Sequence, residues 1–165
     1  MKYLQLFESW NPLSDEDFAN AQELHSIGVV SDQELAQLKK LIATEWEILH
    51  YTGVRSLDLR DCALLKSLPD DLKVGGNLNL DRCTSLESLP AGLKVKDYLL
   101  ANGCTSLRSL PAGLVISGGL ELNHCTSLES LPTGLVVGSY LNLNTCTKLG
   151  ELPQDLKVRG SIHAS

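Results

Sequence analysis

The chain has 165 residues, 43% of them hydrophobic and only 5% aromatic, with a formal net charge of −6. No stretch approaches the roughly 20 apolar residues of a membrane-spanning helix. The acidic balance disfavours direct nucleic-acid binding by a basic surface, and Met1–Trp10, interrupted by Gln5 and Glu8, does not read as a secretory signal. Five cysteines, an odd number without such a signal, argue against a disulfide scaffold and for a reducing compartment such as the cytoplasm.

Residues 1–52 carry no repeat and are expected to form a helical hairpin that caps the array following it. Ser14 is a suitable N-cap, with Asp15, Glu16 and Asp17 in the first turn, and Gly28 can end that helix. Ser31 and Glu34 have the spacing of a capping box for a second helix, whose apolar stripe is Leu35, Leu38, Ile42, Trp46 and Leu49, with Gly53 as a stop. The stretch LHSIGVVSDQELAQLKKLI is similar to the short helical hairpin called SHOCT, common in bacterial proteins. Nine acids against three lysines place the whole −6 in this segment, because residues 53–165 hold 11 acids and 11 bases. The acidic cap, with Asp15, Glu16, Asp17, Glu45 and Glu47, reads as a solvated outer face. It also supports an alternative function, an inhibitor or effector whose cap blocks a basic, nucleic-acid-binding type of surface.

From residue 53 the chain is periodic. Cys62, Cys83, Cys104, Cys125 and Cys146 recur every 21 residues, and so do Pro69, Pro90, Pro111, Pro132 and Pro153. A fixed period in this range is the signature of a solenoid. The unit L-x-L-x-x-C-x-x-L-x-x-L-P-x-x-L-x-V describes five successive coils, with a departure in the third, and a sixth coil begins at Ile162. The alternating L-x-L segment predicts a half-buried strand, so stacked coils give a parallel sheet with strands about 4.8 Å apart. Leucines 57, 78, 99, 120 and 141 then point inward, continued by Ile162, and the rows starting at Leu65 and Leu68 and ending at Leu149 and Leu152 fill the same core. Proline, then Ala-Gly or Thr-Gly, marks a turn, and L-x-V returns the chain toward the next strand.

Residues 57–165 resemble the leucine-rich repeat family, most closely its C-x-x-L-x-x-L-P variants of bacterial proteins, plant immune receptors and type III effectors. The resemblance implies an α/β solenoid with a parallel β-sheet on its concave side and protein recognition as its task. Cysteine replaces the asparagine usual in that family, and Ala101 replaces a strand leucine, which predicts a thinner third coil.

One cysteine per coil forms a line, not the converging set that zinc needs, so the thiols read as small buried apolar residues and no metal or cofactor is expected. His124-Cys125 is the one histidine–cysteine neighbour pair, but neighbouring residues at a strand end face opposite ways, so no catalytic site is expected either. The function left is binding an unidentified partner protein through the sheet, at Asp58, Asn79, Tyr98, Leu100, Glu121, Tyr140 and Asn142, where two tyrosines stand out in an aromatic-poor chain. Ile162 begins an open, apolar solenoid end, which predicts self-association, a homodimer through the last coils, unless the chain has been cut there.

Overall fold

The computed structural model describes residues 31–165 together with Gln22 and His25, and of Trp46 and Leu49 the backbone alone. Two compact units divide after Tyr51. The first helix expected in the hairpin, with its acids Asp15, Glu16 and Asp17, lies outside the described residues apart from Gln22 and His25.

In the first unit, helix α1 spans Asp32–Leu49. Its start is the predicted capping box: Ser31 N–H donates to Glu34 Oε2 at 2.9 Å, and Glu34 N–H donates back to Ser31 Oγ at 3.3 Å. These two bonds satisfy helix-end donors that have no partner within the helix. The buried stripe is Leu35, Leu41, Thr44, Glu45 and Ile48, while Leu38 and Ile42 are only half-buried. Of the expected stripe, Leu35 is buried as read, Leu41 takes the buried place beside the half-buried Ile42, and the side chains of Trp46 and Leu49 lie outside the described residues. Glu45, expected on a solvated face, is 6% exposed.

The second unit is a parallel β-solenoid. In chain order its strands are β1 (Leu57–Asp58), β2 (Lys73–Val74), β3 (Leu78–Asn79), β4 (Lys94–Val95), β5 (Leu99–Leu100), β6 (Val115–Ile116), β7 (Leu120–Glu121), β8 (Val136–Val137), β9 (Leu141–Asn142), β10 (Lys157–Val158) and β11 (Ile162–His163). The odd-numbered strands stack as one six-stranded sheet, in register at 21-residue offsets: Leu57 beside Leu78, Leu78 beside Leu99, and so on to Ile162. The even-numbered strands form a second, five-stranded parallel sheet. The L-x-V run, expected only to return the chain, thus builds a ladder of its own.

Regular pairing covers two residues per coil, but the backbone ladder continues past it. Leu78, Leu80 and Arg82 donate to Tyr98, Leu100 and Asn102 of the next coil at 2.9, 2.7 and 2.7 Å, and the other coils repeat this. The C-x-x-L spacing is a turn, in which Leu86 N–H reaches Cys83 C=O and Leu107 N–H reaches Cys104 C=O, both at 3.1 Å. The residue before each cysteine is left-handed: Asp61, Arg82, His124 and Thr145 have φ of 61–64°, and the third coil uses Gly103. Such a φ is unfavourable for a side chain. Here it is held by the ladder bond that the same residue's N–H makes to the next coil, such as His124 to Asn144 at 2.8 Å.

Inside, the rows of leucine predicted from the period are buried through the fourth coil, together with Val74, Val95, Ile116 and Val137. Ala101 is fully buried. The fifth coil differs from expectation: Leu149 is half-buried, Leu152 is 38% exposed and Ile162 is 43% exposed. Each coil is covered by its neighbours, and these residues have a neighbour on one side.

Candidate functional site

On the six-stranded sheet, alternation sends Leu78, Leu99 and Leu120 inward and leaves Asn79, Leu100 and Glu121 on the outer face. Side chains at 21-residue spacing therefore form rows across this face, and one row reads Asn77, Tyr98, Gly119, Tyr140.

The structure brings Tyr98 and Tyr140 together. They are two coils apart, yet their ring centroids lie 6.2 Å from one another with planes tilted by 42°, a geometry favoured by the aromatic quadrupole. Gly119 makes this possible. A Cβ there would sit 2.7 Å from Tyr140 Cζ, so the bare backbone just before β7 is the seat on which the ring lies. From that position the Tyr140 hydroxyl donates to Glu121 Oε1 at 2.7 Å, and Asn102 Nδ2 donates to Glu121 Oε2 at 2.9 Å. The carboxylate is thus fixed by two neutral donors, and no lysine or arginine among the described residues is within ion-pair distance of it.

The phenol–carboxylate bond, with a smaller contribution from burial, pushes Tyr140 up to about 12. A raised folded pKa means that this bond stabilises the fold below the ordinary tyrosine pKa of about 10 and that the contribution is lost as pH rises through 12. Phenolate absorbance should therefore show one component near pH 12 that disappears in Tyr140→Phe and moves down in Glu121→Gln. A titration of Glu121→Gln identical to that of the wild type would dismiss the bond.

The remaining predicted residues do not join this cluster. Asp58 is engaged by Arg60, whose Nε lies 2.9 Å from both its carboxylate oxygens. Asn79 Oδ1 accepts the Asp81 N–H within its own coil at 3.0 Å. Leu100, expected to stand exposed between the tyrosines, is half-buried, with Asn79 and Glu121 as its sheet neighbours. Asn142 is half-buried beside Glu121 on the next strand. Gly119 and Asn102 belong to the site although composition gave them no prominence; a glycine between two tyrosines of one row was the available signal.

A polar ladder borders the face. Asn102 Nδ2 donates to Asp81 Oδ1 at 3.0 Å and Asn123 Nδ2 to Asn102 Oδ1 at 2.8 Å, while the Asn144 N–H reaches Asn123 Oδ1 at 3.2 Å. The cysteines form another, buried in the core as far as Cys125 and half-buried at Cys146. The thiols of Cys83, Cys104, Cys125 and Cys146 each donate to a carbonyl of the preceding coil, at Leu59, Leu80, Ala101 and Leu122, over 3.0–3.2 Å. None of the five cysteines is in a disulfide. Burial pushes Cys104 and Cys146 upward and Cys125 to about 12, so the Cys125 thiol keeps its proton near neutral pH. Cys125 is buried while the neighbouring His124 is exposed. No cluster of three or more His, Cys, Asp or Glu side chains suited to a metal occurs among the described residues, and no helix among them is long and apolar enough to cross a membrane.

Fold and face together define a repeat protein of the parallel β-solenoid class. No protein-family model, no curated protein and no solved structure matches the chain.

Proposed function

We propose that the chain is a non-enzymatic protein-binding module of the leucine-rich repeat type, and that it holds a partner protein on the outer face of its six-stranded sheet. The observation that carries this reading is the Tyr98–Tyr140 pair, seated over Gly119 and hydrogen-bonded to Glu121. Tyrosines immobilised in advance offer large contact area with little further loss of side-chain freedom, the property that makes them interface anchors. Tyr98 is 37% exposed and so retains surface to bury. The half-buried Leu100 adds apolar area beside it, and the asparagine ladder supplies a polar rim of the kind that interfaces have.

Pull-down from the source cells should recover a partner with the wild-type chain and lose it with the double variant Tyr98→Ala, Tyr140→Ala, whose circular dichroism should match the wild type. A partner retained by the double variant would move the interface elsewhere.

A further inference from the structure

The second sheet carries a groove that the repeat does not require. An open cavity of about 440 Å³ crosses the outer faces of β2, β4 and β6. Its lining is mostly apolar, and it is hollow because the turns beside it end in small residues: Gly92, Ala112 and Gly113. A Cβ built on Gly113 would meet nothing within 4 Å. Val115, at one end, is 54% exposed, a large exposure for a β-branched side chain on a sheet.

The charged side chains of the lining are all basic, and an acid, Asp71, lies at the edge with its carboxylate against Gly92. Lys73, Lys94 and Lys96 line the groove, and no acidic residue does. Lys73 and Lys94 stand directly opposite each other in the parallel register, an arrangement that destabilises a strand pair. None of the three is within ion-pair distance of a carboxylate among the described residues, whereas Arg60 and Arg82 of the same solenoid are paired with Asp58 and Asp61. Residues 53–165 carry as many acids as bases, so this local excess is a matter of placement and not of composition.

We propose that this groove binds an extended acidic peptide segment of a partner protein, its apolar side chains lying over Val115 and the glycine-lined turns and its carboxylates on the lysines. Two features select that occupant. Alternate side chains of an extended peptide repeat at about 6.7 Å, and the lysines are likewise alternate residues, Lys94 in β4 and Lys96 just past its end with the buried Val95 between them. The apolar lining, in turn, rewards a ligand that carries hydrocarbon as well as charge, which a nucleic-acid backbone does not. This site is independent of the tyrosine face and stands or falls without it.

The test is fluorescence anisotropy at low salt with three fluorescein-labelled probes of equal length: alternating leucine and glutamate, alternating leucine and glutamine, and glutamate alone. The leucine–glutamate peptide should bind at least about tenfold more tightly than either control, the scale of one charge-assisted hydrogen bond or one buried apolar side chain. Charge reversal in Lys73→Glu, Lys94→Glu, Lys96→Glu should abolish binding. Ala112→Trp, which fills the groove and leaves every charge in place, should weaken it by a similar factor. Circular dichroism of both variants should remain that of the wild type, since all four positions lie on the surface of the groove. Equal affinity for the leucine–glutamine or the glutamate probe, binding retained by the charge-reversed chain, or competition by a single-stranded oligonucleotide as strong as by the peptide would each overturn the proposal.

Discussion

Leu120→Ala should destabilise the solenoid by about 3 kcal/mol, and Leu152→Ala by less than about 1 kcal/mol, although both delete the same atoms. Leu120 has no exposure and is flanked in the sheet by Leu99 and Leu141, which are equally buried. Removing its side chain takes apolar contact from coils on both sides and leaves a cavity that a ladder of backbone bonds prevents from closing. Leu152 is 38% exposed, so much of its surface is already in water and no enclosed cavity can form. Urea midpoints at unchanged slope would measure the difference. Equal losses at the two positions would mean that the coils do not stack in the observed register.

Gly138→Ala should cost about 2–3 kcal/mol, the range of a forced overlap in a packed interior. A Cβ at Gly138 would fall on the Ser117 carbonyl oxygen of the preceding coil. That oxygen is backbone, and Gly138 itself is tied back by its N–H to Ile116 C=O at 2.8 Å. Relief therefore requires the two coils to separate at β6 and β8, and faster amide exchange at Gly138 should accompany the loss of stability. Gly113→Ala is the control. It has φ +68° and open space around the new methyl group, so it should cost only about 1 kcal/mol, from backbone conformation alone. A neutral Gly138→Ala would show that the close approach is absent in solution.

The period explains why so much of the solenoid was legible before any coordinates. A residue repeated every 21 positions must occupy one place in each coil, so the inward leucines, the buried cysteines and the parallel register all follow from spacing. What the period cannot carry is the difference between one coil and the next. The exposed Leu152 and Ile162 match the repeat as well as Leu131 and Leu141 do; only their lack of a neighbour on one side sets them apart. The second sheet was missed although L-x-V alternates over three residues just as L-x-L does, because that run was assigned to the return of the chain toward the next strand.

At the candidate site the two tyrosines were readable from their rarity and shared row. Their contact was not, since it depends on a ring reaching across two coils over a residue with no side chain. Asp58 was placed on the face by its position beside the strand leucine, and a bidentate guanidinium two residues away engages it. In helix α1, Glu45 was assigned to the solvated side on charge alone, and it is buried beside Thr44 and Ile48.

The pairing of each residue with the one 21 positions later also fixes how such a molecule can change in length. One residue added within a strand would turn every later side chain of that strand to the opposite face. Twenty-one added residues would only add a coil. Growth is therefore quantised, and where a unit is gained matters as much as whether it is. A unit inserted or lost outside residues 98–140 leaves the aromatic pair intact, while one inserted between them parts the rings by about 4.8 Å more and dissolves the surface they share.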